Sequence, residues 1–445
     1  MATVTMDKLV NLAKARGFVF SGSEIYGGLA NSWDYGPLGV ELKNNIKQAW
    51  WKKFVTTRLD MVGIDAALIM NPKVWEASGH LATFTDPLVE CKQCHERYRA
   101  DQIDLSAACA KCGGKGTYTD PAAFNLMMKT WLGPKEDATA TAYFRPETAQ
   151  AMFVDFDQVL TTTRKRVPFG IAQCGRAFRN EITPGNFIFR QREFDLMEFE
   201  YFIHPNDWEK TFEYWLGQMH EWIKECGIDA SRVHDHEIPK EELAHYSKRT
   251  VDIEFDYPFG LKELYGLAYR TDFDLSNHAK HSGARLEYTD PATGEKYVPH
   301  VVEPAFGADR TFLAVMLSAY HEEEAPTSKE GETDTRVVLR FPPHLAPIKI
   351  AILPLSKKDE LSSVAKSLAE RLAKQWRVEY DETQSIGRRY RRQDEIGTPY
   401  CVTVDFDTLQ DKAVTVRDRD TMKQERVVIE ELPAYFQSKL SLTAA

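Results

Sequence analysis

The 445-residue sequence predicts an α+β fold in two principal domains, 1–346 and 347–445, with a small insertion at 88–120 inside the first. Three observations predict it. In Phe178-Arg179-Asn180-Glu181, the arginine and the carboxylate stand two residues apart, so on an extended strand they share a face. The loop 182–189 follows, with Pro184, Gly185 and Asn186 as turn formers, and Arg190, Arg192 and Phe194 stand on the return, making a strand–loop–strand unit. Two Cys-x-x-Cys pairs mark the insertion. Pro342, Pro343 and Pro347 mark a boundary, beyond which strand and helix patterns alternate as in an α/β unit.

Taken in order, the first seventeen residues form a short amphipathic helix pattern without a signal-peptide core. Residues 40–55 read as a helix, because Leu42, Ile46, Trp50 and Phe54 recur at spacing four. A strand-like run at 66–70 ends at Asn71-Pro72. Residues 121–320 return to the main domain, with aromatic-rich strands and amphipathic helices. The acidic segment 321–335 lacks apolar periodicity and reads as an exposed loop. The run 336–341 reads as a strand returning to the main sheet. In the tail, Ile348, Ile350 and Ile352 alternate as a strand, and Leu361, Val364, Ala365, Leu368 and Leu372 make a helical stripe.

Composition is that of a globular protein, and no run of eighteen apolar residues predicts a membrane span. The expected compartment is the cytoplasm. A net charge of -10 argues against indiscriminate nucleic-acid binding but leaves room for a local basic surface. Residues 347–445 carry 17 Lys and Arg against 16 Asp and Glu, so the acidic excess lies before them and the tail is the better candidate for such a surface. There, Arg388, Arg389, Arg391 and Arg392 surround Tyr390, a pairing suited to phosphates and unpaired bases, or to a solvated helix face.

Cys91, Cys94, Cys109 and Cys112 offer four thiolates from two short loops, a tetrahedral set for structural zinc. Buried thiols and disulfides are the alternatives, the latter disfavoured in a reducing compartment. Cys174, Cys226 and Cys401 stand alone and read as core residues.

The segments GSEIYGGLANSWDYGPLG, RPETAQ, FRNEITPGNF, RTDFDLSNH, VEPAFGADR and IGRRYRRQDEIGTP, in that order, resemble the homodimeric type of glycyl-tRNA synthetase, a class II aminoacyl-tRNA synthetase. The resemblance implies a catalytic domain on an antiparallel sheet with a zinc-ribbon-like insertion, followed by an anticodon-binding domain. It implies a glycine–tRNA ligase that uses ATP and Mg2+, with tRNA(Gly) as partner, and a homodimer joined around residues 40–72. Trp50, Trp51 and Phe54 would suit such an interface, or equally an internal core.

By the same resemblance, Arg179, Glu181 and Arg310 are the catalytic set: Arg179 on the α-phosphate, Glu181 reading adenine, and Arg310 on the terminal phosphates. Asn180, Phe189, Arg190, Arg192, Phe194, Glu263, Leu264, Gly307 and Asp309 complete the ATP site, with Phe194 as the ring under adenine and Gly307 allowing close approach. Glycine would meet Glu147, Glu198 and Glu303, with Arg99 and Arg270 for its carboxylate or acyl-phosphate, and with Phe194, Ala305 and Gly307 as walls. Ala305 departs from the serine of many family members. The same chemistry on another amino acid, a non-catalytic tRNA-binding relative and a zinc-ribbon nucleic-acid module are the competing readings. Retention of Arg179, Glu181 and Arg310, the three glutamates and the small share of the chain in the ribbon argue against them.

Overall fold

A computed structural model describes residues 4–326 and 333–440. The main domain is built on seven strands: β1 (Met61–Gly63), β2 (Phe169–Phe178), β3 (Glu193–Ile203), β4 (Val233–Glu237), β5 (Arg249–Tyr257), β6 (Gly260–Thr271) and β7 (His300–Gly307). They lie in the order β4-β5-β6-β7-β3-β2-β1, antiparallel throughout except for the parallel pair β1–β2.

Alternation along β3 divides the sheet's faces. Met197, Phe199 and Tyr201 enter the large core, whereas Glu198 and Glu200 point the other way. The core is closed by α1 (Pro37–Trp51), α2 (Trp208–Glu225) and, further along, α4 (Ala308–Ala319). Helix α3 (Phe273–Ser282) and the short helix Ala149–Val154 pack a smaller apolar cluster on the opposite face. The predicted stripe is real: Leu42, Ile46, Trp50 and Phe54 are all fully buried. Trp50 and Phe54 lie in this chain's own core, with Phe54 5.2 Å from the Phe306 ring, and so supply no dimer surface.

Three element expectations need correction. Residues 66–70 form no continuous strand: the Ala66 carbonyl is taken by the Arg145 side chain, and pairing is limited to an isolated antiparallel bridge between Ile69 and Phe144; the strand of the main sheet is β1, a few residues earlier. The acidic 321–335 is not a loop throughout. Tyr320–Pro326 pairs with Thr333–Leu339 in an antiparallel hairpin, where Arg336 and Arg340 neutralise Glu323. For the same reason, the strand that includes 336–339 joins this hairpin and not the main sheet.

The insertion is a three-stranded sheet of Arg97–Arg99, Thr85–Glu90 and Ala122–Asn125, reaching slightly beyond 88–120 on both sides. The tail has β8 (Ile350–Pro354), β9 (Val378–Tyr380), β10 (Tyr400–Val404), β11 (Ala413–Asp418) and β12 (Gln424–Val428), in the order β9-β8-β10-β11-β12. β8 is parallel to both its neighbours, as crossovers through α5 (Asp359–Leu372) and α6 (Ile386–Ile396) require. The tail is locked to the main domain through a buried ion cluster. Arg336 from the hairpin donates to Asp394 of α6 at 2.8 Å, and Arg417 donates to the same carboxylate at 2.9 and 3.1 Å. Among the described residues, no helix is long and apolar enough to cross a membrane.

Candidate active site

A cavity of about 410 Å³ lies on the face of the sheet opposite the large core, bordered by the ends of β2 and β3 and by β5, β6 and β7. At the end of β2 the chain leaves the ladder but stays fixed: the amides of Phe178, Arg179 and Asn180 donate to the carbonyls of Arg145, Arg192 and Leu126. Arg179 is thereby aimed into the cavity. Its Nε donates to the Pro146 carbonyl at 3.1 Å, and its guanidinium lies 5.3 Å from the Phe84 ring and 5.2 Å from Phe194. Those contacts orient the group without neutralising it.

Glu181 is buried, and its Oε2 has no hydrogen-bond partner. The nearest cation is Arg190, whose Nη1 stands 3.6 Å away and is itself unpartnered. A buried acceptor left open is costly, so this pair is shaped for something that arrives. Arg310, in the first turn of α4, donates to the Glu263 carbonyl at 3.1 Å, pairs with its carboxylate at 3.0 Å and lies 4.5 Å from the Phe189 ring. The charge of Arg310 holds Glu263 below the usual carboxylate range, while burial and Glu263's charge push neighbouring Asp252 up to about 7.

The cavity's other end is acidic. Burial raises the Glu147 carboxyl, but His80, 3.4 Å away, and Arg270 outweigh it and hold the group well below the usual range. Burial and the charge of Glu147 push Glu198 up to about 7, although Thr148 donates to it at 2.5 Å. Burial likewise pushes Glu303 up to about 8 against the pull of Arg270. Ala305, opposite Glu198 on the neighbouring strand, forms a wall.

Of the predicted ATP and glycine residues, all border the cavity except Arg99, Asn180, Arg192 and Arg270. Arg99 is held within the insertion by Asp86 at 2.7 Å and Asp101 at 2.8 Å. Arg192 points outward to the Ala30 carbonyl at 3.5 Å. Arg270 is fully buried, with both its nitrogen faces taken by Asp274 and Glu303, so it fixes Glu303 and does not face a substrate. The Asp309 carboxylate is consumed by Tyr35, by Lys43 at 2.6 Å and by the amide of Asp195 at 2.8 Å. Gly307 needs no special backbone; an added Cβ would meet only the Arg310 side chain, at 3.5 Å. Sequence reasoning missed Thr250, Asp252 and Tyr246. The first two carried a signal: they alternate with Val251, Ile253 and Phe255, which are buried on the core face.

Residues 134–386 match the family model for the tRNA synthetase class II core domain (G, H, P, S and T), and residues 349–439 match the anticodon binding domain. The chain is 53% identical to the glycine–tRNA ligase of Streptomyces coelicolor, with 99% of each chain covered. It is 54% identical to that of Acetivibrio thermocellus over 98% of each chain, and 54% identical to that of Clostridium acetobutylicum over 98% of this chain and 99% of the relative. The chain belongs to the glycine–tRNA ligase family of class II tRNA synthetases.

In this class II synthetase, the cavity joins an end lined by arginines and a free buried acceptor to an end lined by carboxylates. Hard carboxylate oxygens at Glu263 and Asp252 fit the Mg2+ that class II synthetases use with ATP. In the insertion, the four cysteine sulfurs lie within 4.8 Å of one another, with Cys91–Cys112 and Cys94–Cys109 both at 3.7 Å. A tetrahedron with Zn–S of 2.3 Å has edges of about 3.8 Å, whereas a disulfide closes to about 2.05 Å. The donor set therefore fits zinc and not cystine.

In this synthetase's anticodon-binding domain, the arginine cluster on α6 is divided. Arg389 is buried, donating to the carbonyls of Pro354 at 2.6 Å and Asp381 at 3.1 Å, so it does not belong to a nucleic-acid surface. Arg392 is bound to Asp381 and to the Thr383 carbonyl at 2.8 Å. Tyr390 is half-buried, hydrogen-bonded to Thr403 at 2.6 Å. Arg388 is exposed and Arg391 half-buried, and these two remain for a partner.

Proposed function

We propose that the protein activates glycine with ATP and transfers it to the 3′ end of tRNA(Gly). The observation that carries this reading is the Glu147–Glu198–Glu303 pocket opening into the arginine-lined cavity. An ammonium group finds its counter-charges there, beside a wall formed by Ala305 and the flanking strands. In the first step, the glycine carboxylate attacks the α-phosphorus and the bond to pyrophosphate breaks. A terminal ribose hydroxyl then attacks the acyl carbonyl and AMP leaves.

Neither step needs a covalent enzyme intermediate, so positioning and charge stabilisation carry the rate. Arg179 meets the charge developing at the α-phosphate. Glu181 accepts from the adenine amino group, and Phe194 stacks beneath the base. Arg190 and Arg310 hold the outer phosphates. Mg2+ would supply further neutralisation of the phosphates when bound, at Glu263 and Asp252. Arg270 acts one layer back, keeping Glu303 in place. Pyrophosphate exchange measured across the amino acids tests the reading: glycine is the expected substrate, and exchange with alanine or proline but not glycine would overturn it.

Zinc at Cys91, Cys94, Cys109 and Cys112 holds the insertion together and takes no part in adenylation. One zinc per chain by elemental analysis, lost in a Cys91→Ser/Cys109→Ser double variant, is the expected result. We further infer a cytoplasmic homodimer, on family resemblance at 40–72; a fully active monomer in sedimentation would refute the assembly.

A further inference from the structure

Glu200 is a buried acid at the amino-acid end to which the proposed chemistry gives no task. It is fully inaccessible, and neither of its carboxylate oxygens has a hydrogen-bond partner. The strand register explains its place. Glu198 stands opposite Ala305 and Tyr201 opposite Val302, which sets Glu200 across from Glu303 on the neighbouring strand. Glu198 and Glu200 share a face of β3. One oxygen from each of Glu198, Glu200 and Glu303 lies within 4.8 Å of the others.

The charges facing this group are unbalanced. From β6 comes Arg270, from α3 Asp274, and from the loop before Ala149–Val154 comes Glu147 with His80 beside it. The Tyr246 ring, 3.9 Å from the Arg270 guanidinium, closes the remaining side. Five carboxyls thus share a desolvated space with Arg270, with Arg179 acting on Glu198 from the cavity side, and they cannot all be ionised together. The partners decide which keep protons. Glu303 receives Arg270 at 2.9 and 3.0 Å, and Glu198 receives the Thr148 hydroxyl. Glu200 receives nothing, and a buried carboxylate without donors is the costliest ion in the set.

We propose that Glu200 is a permanently neutral acid behind the pocket, and that the substrate's ammonium group enters by expelling a proton from the Glu198–Glu303 pair in front of it. The inference rests on the glycine reading of the pocket. One positive charge replaces another, so the pocket's net charge hardly changes on binding. The direction with pH follows. Burial and neighbouring acids raise Glu198 to about 7 and Glu303 to about 8, so both take up protons as pH falls through that range. Glycine must then displace them. KM for glycine rises as pH falls, by roughly tenfold per unit once one proton is displaced per molecule bound, while KM for ATP stays level.

Glycine is titrated calorimetrically into the full-length protein with a non-hydrolysable ATP analogue present, in buffers of different ionisation enthalpy near about pH 7.5. The expected result is release of about one proton per glycine. Binding without proton release overturns the proposal. Failure to bind glycine while another amino acid binds overturns the glycine reading instead. Glu200→Gln keeps the neutral charge, so proton release and the pH profile of KM should match the wild type. A profile moved toward acid by about one unit or more would mean that Glu200 carries charge. Infrared difference spectra of wild type against Glu200→Gln at about pH 8 should show a protonated-carboxyl carbonyl band from Glu200; its absence refutes the assignment. Glu200→Met makes the same neutral test if the glutamine variant does not fold.

Discussion

The cavity on the main sheet and helix α6 both concentrate arginines, and the fold treats them in opposite ways. In the cavity, Arg179 and Arg310 lean on aromatic rings, and Arg190 stands 3.6 Å from a carboxylate without a hydrogen bond. The charges of Arg179 and Arg190 are oriented without a close partner, and Arg310 keeps one carboxylate, Glu263, that itself borders the cavity. On α6, Arg389 is consumed by three backbone carbonyls and Arg392 by Asp381 and Thr383, while Asp394 of the same helix ties Arg336 and Arg417 together. Most of that cluster builds the tail and fastens it to the catalytic domain. An arginine-rich run thus announces charge, but only the burial of its neighbours decides whether the charge faces a ligand or a carbonyl.

The contrast can be broken in four places, from the largest effect down. Asp394→Asn leaves Arg336 and Arg417 buried against a neutral partner, and should cost about 3–5 kcal/mol in denaturant unfolding of the tail. An unchanged midpoint would show the network to be dispensable. Arg310→Ala should lower glycine-dependent pyrophosphate exchange by about two decades, or roughly 2.7 kcal/mol, without a comparable loss of stability. Arg389→Ala removes the donor to the Pro354, Leu355 and Asp381 carbonyls and should cost about 1–3 kcal/mol of stability, leaving the salt dependence of tRNA binding as it was. If that salt dependence fell instead, Arg389 would belong to the nucleic-acid surface after all.

The smallest effect is expected from Arg388→Ala with Arg391→Ala. This pair should raise the tRNA requirement a fewfold and flatten its salt slope by about one to two phosphate contacts, with glycine activation intact. Normal charging of tRNA across salt concentrations would move the contact surface elsewhere in the tail.

The sequence made legible what depends on local pattern. The stripe of Leu42, Ile46, Trp50 and Phe54 had to be a buried helix face, and the paired cysteines had to converge once their loops turned at residues such as Gly113, with φ of 73°. The ordered motifs located Glu147, Arg179, Glu181, Glu303 and Arg310 in the cavity's lining. What stayed hidden depends on partners distant in the chain. Arg270 reads as a substrate ligand until Asp274 and Glu303 are seen to enclose it. The acidic stretch after Tyr320 reads as a loop until Arg336 and Arg340 arrive across the hairpin to neutralise it. Arg389 is indistinguishable in sequence from Arg388, since the carbonyls that bind it come from β8 and from the loop after β9.

We propose that this cavity makes glycyl-adenylate, with Arg179 stabilising the charge that forms at the α-phosphate. Single-turnover adenylate formation from glycine and ATP, compared between the wild type and Arg179→Ala, tests it most directly. Rapid formation by the wild type and a rate about two or more decades lower in the variant is the predicted result. Equal rates in the two proteins, or adenylate from alanine but none from glycine, would contradict it.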